Sequence, residues 1–93
     1  MRILIDYDGT ISVHGKIAEW KVDLMKQAIA KGHKVMVYTS RKGEAVLNLQ
    51  NKLYRQFVLK IKAIGGRENF DLFIDEKSGG WEKLVEVLRE HSK

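Results

Sequence analysis

Two aspartates two residues apart, Asp6 and Asp8 in RILIDYDGT, are the first residues of this chain whose types and spacing can do chemistry. The run that carries them, residues 2–7, is apolar and rich in β-branched residues, and it meets Gly9, as a buried strand feeding a turn does. Side chains on a strand alternate with a period of two, so both carboxyl groups address one side as the strand runs out. Carboxylates crowded at one rim repel, and at neutral pH they share either a proton or a bound cation. Asp75 ends a second apolar run, DLFID, and adds a third oxygen donor if the two runs are neighbouring strands. Such a set suits Mg²⁺, which takes few carboxylates, keeps several waters and accepts a phosphate.

The acids need elements to hold them at one rim. Ile17, Trp20, Leu24, Met25 and Ala28 recur at offsets 0, 3, 7, 8 and 11, the stripe of an amphipathic helix, and Gly32 supplies its stop. Residues 35–39 form a second β-rich run, and Ala45, Val46, Leu49 and Leu53 after Gly43 mark a second helix. Residues 57–64 alternate partly, with Lys60 and Lys62 breaking the apolar pattern, as on a strand at a sheet edge with one wetter face. Gly65 and Gly66 end that strand, residues 71–75 form a fourth, and Trp81, Leu84, Val85 and Leu88 repeat the helical stripe. Trp20 and Trp81, both on stripes, are assigned to the core. Strands alternating with helices predict one α/β domain over residues 1–93, with a parallel sheet, helices on both faces and right-handed crossovers. Ligands bind such sheets beyond the carboxyl ends of the strands. Polar residues gather at each of those ends: Asp6 and Asp8; Thr39, Ser40 and Arg41; Gly65, Gly66 and Arg67; Asp75 and Glu76.

Composition narrows the function classes. The 93 residues, 44% hydrophobic and 31% charged, support one hydrophobic core and are too apolar for a disordered chain. There is no cysteine, so neither a disulfide framework nor a thiolate metal site is available, and His14, His33 and His91 are too scattered for a zinc cluster. No stretch approaches the ~20 apolar residues of a spanning helix, and Asp6 interrupts any signal-peptide core, which predicts a cytoplasmic protein with no membrane partner. The net charge of +5 favours an anionic partner, a phosphate ester or nucleic acid.

DYDGT at positions 6–10 resembles the first motif of the haloacid dehalogenase-like superfamily of aspartate-nucleophile phosphohydrolases. VMVYTSR, ending in Thr39 to Arg41, resembles the second motif, and DLFIDEK the acidic fourth, in the family's order and on matching elements. The resemblance spans nearly the whole chain. It implies a minimal Rossmann-like three-layer α/β/α sandwich with a four-stranded, mainly parallel sheet ordered 3-2-1-4. It also implies a Mg²⁺-dependent phosphatase in which Asp6 attacks phosphorus to form an aspartyl-phosphate, while Asp8 protonates the leaving oxygen and then activates water. The metal would be held by Asp6, the backbone carbonyl of Asp8, and Asp75. Thr39 would hydrogen-bond the phosphoryl oxygens, and backbone N–H groups after Asp6 would cradle them. Beside this stands the plainer reading of Asp6 and Asp8 as turn and cap residues, which three motifs in order outweigh.

Two positions depart from the family pattern. The phosphate-neutralising Lys or Arg of the third motif is absent from its usual place, where the chain reads GGRENFD; Arg67 is the candidate and Lys62 the alternative. The fourth motif, commonly a pair of aspartates, is here Asp75 followed by Glu76. Residues 10–17 have room for a tight turn and a small flap, and residues 39–67 for one helix and one strand, so neither usual insertion point holds a cap domain. A capless site is open, and either a large substrate or a neighbour in a homo-oligomer must close it. The substrates expected are a phosphorylated small molecule, a nucleotide or a nucleic acid end. The alternative is a non-catalytic phosphate- or nucleic-acid-binding module on the same fold.

Overall fold

The computed structural model describes residues 1–59, 61–65, 69–76 and 80–90. In chain order the elements are β1 (Arg2–Asp6), a hairpin of β2 (Ser12–Val13) and β3 (Lys16–Ile17), α1 (Glu19–Ala30), β4 (Lys34–Tyr38), α2 (Glu44–Phe57), β5 (Lys62–Ile64), β6 (Leu72–Ile74) and α3 (Gly80–Glu90). The main sheet has the order β5-β4-β1-β6 with every pairing parallel, which is the class and the strand order expected from the sequence. β5 is an edge strand, as its broken pattern indicated, though only three residues of the run form it.

The register sets which side chains share a face. Ile3 lies beside Val35 and Leu72, and Ile5 beside Val37 and Ile74, so the odd positions of β1 build one continuous apolar surface. Val22, Met25 and Ala28 of α1, Leu49 and Leu53 of α2, and Trp81, Leu84 and Leu88 of α3 all join that same cluster. The opposite face carries a small cluster of Leu4, Met36 and Ile64, flanked by Tyr38 and Phe73, to which no helix contributes among the described residues. The second helical layer of a three-layer sandwich is therefore not found in the described part of the chain. Its physical reason is length: β5 and β6 are joined by residues 65–71 alone, whereas a helical crossover takes roughly ten to twelve residues.

The face of α1 is also turned from the expected stripe. Trp20 is 52% exposed, while its neighbour Lys21 is buried together with Val22, Met25 and Ala28. Trp81, by contrast, is buried as expected, and the edge of one indole meets the other with centroids 5.7 Å apart. The β2–β3 hairpin is the small flap anticipated between the first strand and α1. Its two-residue turn is made by His14 and Gly15, both at positive φ (52° and 74°), the backbone that a tight hairpin of right-handed twist requires.

Helix α2 offers a direct check of this packing. Leu49 is fully buried and Leu47 is exposed on the same helix, so Leu49→Ala costs about 2–5 kcal/mol while Leu47→Ala stays within about 0.5 kcal/mol. Denaturant unfolding of the two variants measures both.

Candidate active site

The site forms where β1, β4 and β6 end together. Asp6 is the last residue of β1 and lies beside Tyr38, the last residue of β4. On its other side the final registered pair is Ile5 with Ile74, so one position further on Asp6 and Asp75 end adjacent strands level with each other. Adjacent strands are about 4.8 Å apart, and by alternation Asp6 follows the face of Leu4, while Asp75 comes directly after the last residue of β6. Both aspartates are half-buried, and Asp75 is held from behind by the Gly80 N–H at the start of α3, which donates to its carbonyl at 2.9 Å.

Beyond Asp6 the chain closes a tight loop on itself. The Tyr7 carbonyl accepts from the N–H groups of Thr10, Ile11 and Ser12 at 3.3, 3.0 and 2.9 Å. Tyr7 N–H donates to the Tyr38 carbonyl at 3.0 Å, and Gly9 N–H to the Ser12 carbonyl at 2.8 Å. Gly9 makes this possible with φ 84°, a left-handed backbone that a residue bearing Cβ adopts only at a cost. The resemblance implies that N–H groups after Asp6 cradle a phosphate; of the six between residues 7 and 12, four donate within the turn and that of Tyr7 donates to β4. Asp8 stands outside the strand, bridged to Ser12, with its side chain 55% exposed. Its Oδ1 is 3.4 Å from Nη2 of Arg41, whose guanidinium also lies over the Tyr7 ring at 5.4 Å.

Thr10 ties this loop to the rest of the molecule. Its carbonyl accepts from Lys21 Nζ at 2.6 Å and from Trp81 Nε1 at 3.4 Å, and its hydroxyl oxygen accepts the Glu76 N–H at 3.3 Å. Lys21 Nζ sits 5.4 Å from the Trp20 ring centroid and 5.7 Å from that of Trp81, so the buried ammonium is received by two π faces and a carbonyl. One threonine thus joins the loop bearing Asp8, the loop bearing Asp75 and the two helices behind them. Sequence reasoning missed this hub because Lys21 lies off the apolar stripe and nothing local marks a lysine for burial. The only signal was the Trp20-Lys21 pair facing a second tryptophan sixty positions on, which a one-dimensional pattern does not connect.

The remaining predicted residues fall as follows. Thr39 is at the rim, directly after β4, but it is fully buried; its N–H donates to the Ile64 carbonyl at 3.0 Å and its hydroxyl oxygen accepts the Arg41 N–H at 3.1 Å. Lys62 opens β5 opposite Met36, two positions short of the rim, and is exposed beside Gln50, Asn51 and Tyr54 of α2. Arg67 lies outside the described residues. Among the described residues no three His, Cys, Asp or Glu side chains cluster as a metal site by themselves. The ligand set implied by the motifs needs only two carboxylates, Asp6 and Asp75, with a backbone carbonyl as third oxygen, and the level strand ends fit that hard-oxygen set.

The family model of haloacid dehalogenase-like hydrolases matches residues 3–65, more than half of the chain. The chain belongs to this family. The matched span runs from β1 through the whole β4–α2–β5 unit and takes in Asp6, Asp8, Thr39 and Arg41. No curated protein and no solved structure shows significant similarity to the chain. Among the described residues no helix is long and apolar enough to cross a membrane.

The Thr10 hub has a measurable weight. Lys21→Met keeps the length of the side chain but removes the donor to the Thr10 carbonyl, and destabilises the protein by about 1–3 kcal/mol with a change in tryptophan fluorescence, since the ammonium lies against both indoles. Chemical denaturation followed by fluorescence reads both effects.

Proposed function

We propose that this hydrolase is a phosphomonoesterase that works through an aspartyl-phosphate on Asp6. The observation that carries this reading is the placement of Asp6 and Asp75 level on adjacent strand ends, with Asp8 in the turn immediately beyond. Two carboxylates one position beyond the last β1–β6 pair make a place for a cation, and a third, in the loop after β1, is able to meet the leaving group. Membership of a hydrolase family supports the hydrolytic half of the proposal.

In the first step a carboxylate oxygen of Asp6 attacks phosphorus, the bond from phosphorus to the leaving oxygen breaks, and the proton of the Asp8 carboxyl passes to that oxygen. In the second step Asp8, now a carboxylate, takes a proton from water as the water oxygen attacks phosphorus. The Asp6–phosphorus bond breaks, giving inorganic phosphate, a free Asp6 carboxylate and a reprotonated Asp8. Asp6, Asp75 and the Asp8 carbonyl would hold Mg²⁺, whose positive charge would offset repulsion between Asp6 and the phosphoryl oxygens. Asp6 must be half-open for this attack, and it is. Asp75 positions its carboxyl through the Gly80 and Glu76 backbone contacts rather than by reaching the phosphate itself.

Access supports an open-site substrate. Among the described residues, the elements between β1 and α1 are the β2–β3 hairpin and the element between β4 and β5 is α2, which supply no lid. The flap carries exposed His14 and Lys16, and the loop after β4 carries exposed Arg41 and Lys42, which suits a substrate with further negative charge, such as a nucleotide or a nucleic acid end. A second copy of the chain closing the rim serves the same purpose for a smaller phosphate ester.

Release of phosphate from an aryl phosphate tests the proposal. The parent protein turns over only with Mg²⁺, chelation abolishes the activity, and Asp6→Asn lowers it by about 10³-fold or more with an unchanged circular dichroism spectrum. Turnover retained by Asp6→Asn contradicts the assignment of the nucleophile. Salt-sensitive nucleic acid binding that is indifferent to Asp6→Asn, with no turnover, replaces the enzyme reading by that of a binding module.

A further inference from the structure

We propose that Arg41 is the phosphate-binding cation of this site, parked on Asp8 when no phosphate is bound and transferred to the phosphoryl oxygens when one is. The inference rests on the phosphomonoesterase reading and names the group that neutralises its substrate. The N–H groups of Gly9, Thr10, Ile11 and Ser12 are spent inside the loop and that of Tyr7 on the Tyr38 carbonyl of β4, and the Thr39 hydroxyl is buried beneath the Arg41 backbone. Lys62 stands two positions short of the rim. Among the described residues, Arg41 is the cation whose side chain touches the candidate acid at the rim.

Its backbone and side chain are held very differently. The N–H donates to Thr39 Oγ1 at 3.1 Å, and the carbonyl packs so closely on Gly65 that a Cβ there would lie 3.2 Å from its oxygen. The main chain of Arg41 is therefore fixed between the ends of β4 and β5. The side chain is 46% exposed, and its contact with Asp8 is long, solvent-screened and inexpensive to break. A flat guanidinium over the Tyr7 ring slides across the ring face with little loss, whereas a phosphate offers it two oxygens in the fork geometry that guanidinium matches best. The same movement frees a carboxyl oxygen of Asp8, the group that has to meet the leaving oxygen. Substrate binding and release of the acid are then one event.

Binding of inorganic phosphate, followed by calorimetry with Mg²⁺ present, tests the assignment without requiring turnover. Arg41→Gln weakens phosphate by about ten- to hundredfold, and Arg41→Lys falls between, since it keeps the charge and loses the fork. Asp8→Asn tightens phosphate in the parent by more than it does in the Arg41→Gln background, because part of its effect is the liberation of Arg41. In turnover of an aryl phosphate, Arg41→Gln raises KM and the phosphate inhibition constant by the same factor. Unchanged phosphate binding in Arg41→Gln overturns the proposal, as does loss of binding in Arg67→Gln or Lys62→Gln with Arg41→Gln unaffected. A parent that binds phosphate through Arg41 but never turns over an ester overturns the phosphomonoesterase reading and leaves the anion site standing. A parent that binds no phosphate overturns both.

Discussion

Strand β1 is paired in parallel on both sides, to β4 and to β6, and its three central residues Ile3, Leu4 and Ile5 are fully buried. A slip of one residue would turn Ile3 and Ile5 away from the helices and bring Leu4 and the Asp6 carboxylate into the apolar cluster, so the register has no nearby alternative. The site follows from this constraint. With the register fixed, Asp6 must end level with Tyr38 and Asp75, and the chain must turn at Tyr7 to Gly9 to reach the flap. The burial that stabilises the sheet is therefore the same burial that aligns the acids.

The loop that follows is stiff for a different reason. Its own N–H groups converge on the Tyr7 carbonyl, and Thr10 is gripped from two helices and from the Glu76 N–H. A buried lysine is a costly group, and here a carbonyl and two indole faces offset its desolvation. Above this arrangement stand the half-exposed side chains of Asp8 and Arg41, in a long contact of 3.4 Å. On the proposed reading, a firm backbone beneath loosely paired side chains suits a phosphate site, since positioning must exist before substrate arrives and the ionic partners must be exchangeable.

Much of this was legible in the sequence, and the reasons divide by length scale. The apolar, β-rich runs before Asp6, Thr39 and Asp75 are local signals of strands, and their alternation with helical stripes argues for a parallel sheet; both agree with the structure, and the strand order β5-β4-β1-β6 is the one the family resemblance implies. The motifs DYDGT and VMVYTSR lie within the span that places the chain in its family. Three things were not legible because they depend on contacts between distant elements. The rotation of α1 that exposes Trp20 and buries Lys21 is set by Trp81 and Thr10, not by the helix's own stripe. That the helices of the described residues lie on one face of the sheet follows from the brevity of residues 65–71, which composition does not weigh. The closing of the N–H groups into a turn follows from the hairpin that Ser12 begins, and only the folded loop shows that they are used up.

The central claim is that Asp6 becomes covalently phosphorylated and that Asp8 is needed to release the phosphate. Incubation of Asp8→Asn with an aryl phosphate and Mg²⁺, acid quenching and mass spectrometry of the peptide containing Asp6 tests this most directly. The account predicts an added phosphoryl group on Asp6 that persists in Asp8→Asn, turns over rapidly in the parent and is missing from the Asp6→Asn, Asp8→Asn double variant. An unmodified Asp6 under conditions where the parent releases phosphate, or a phosphoryl group on any other residue, would contradict it.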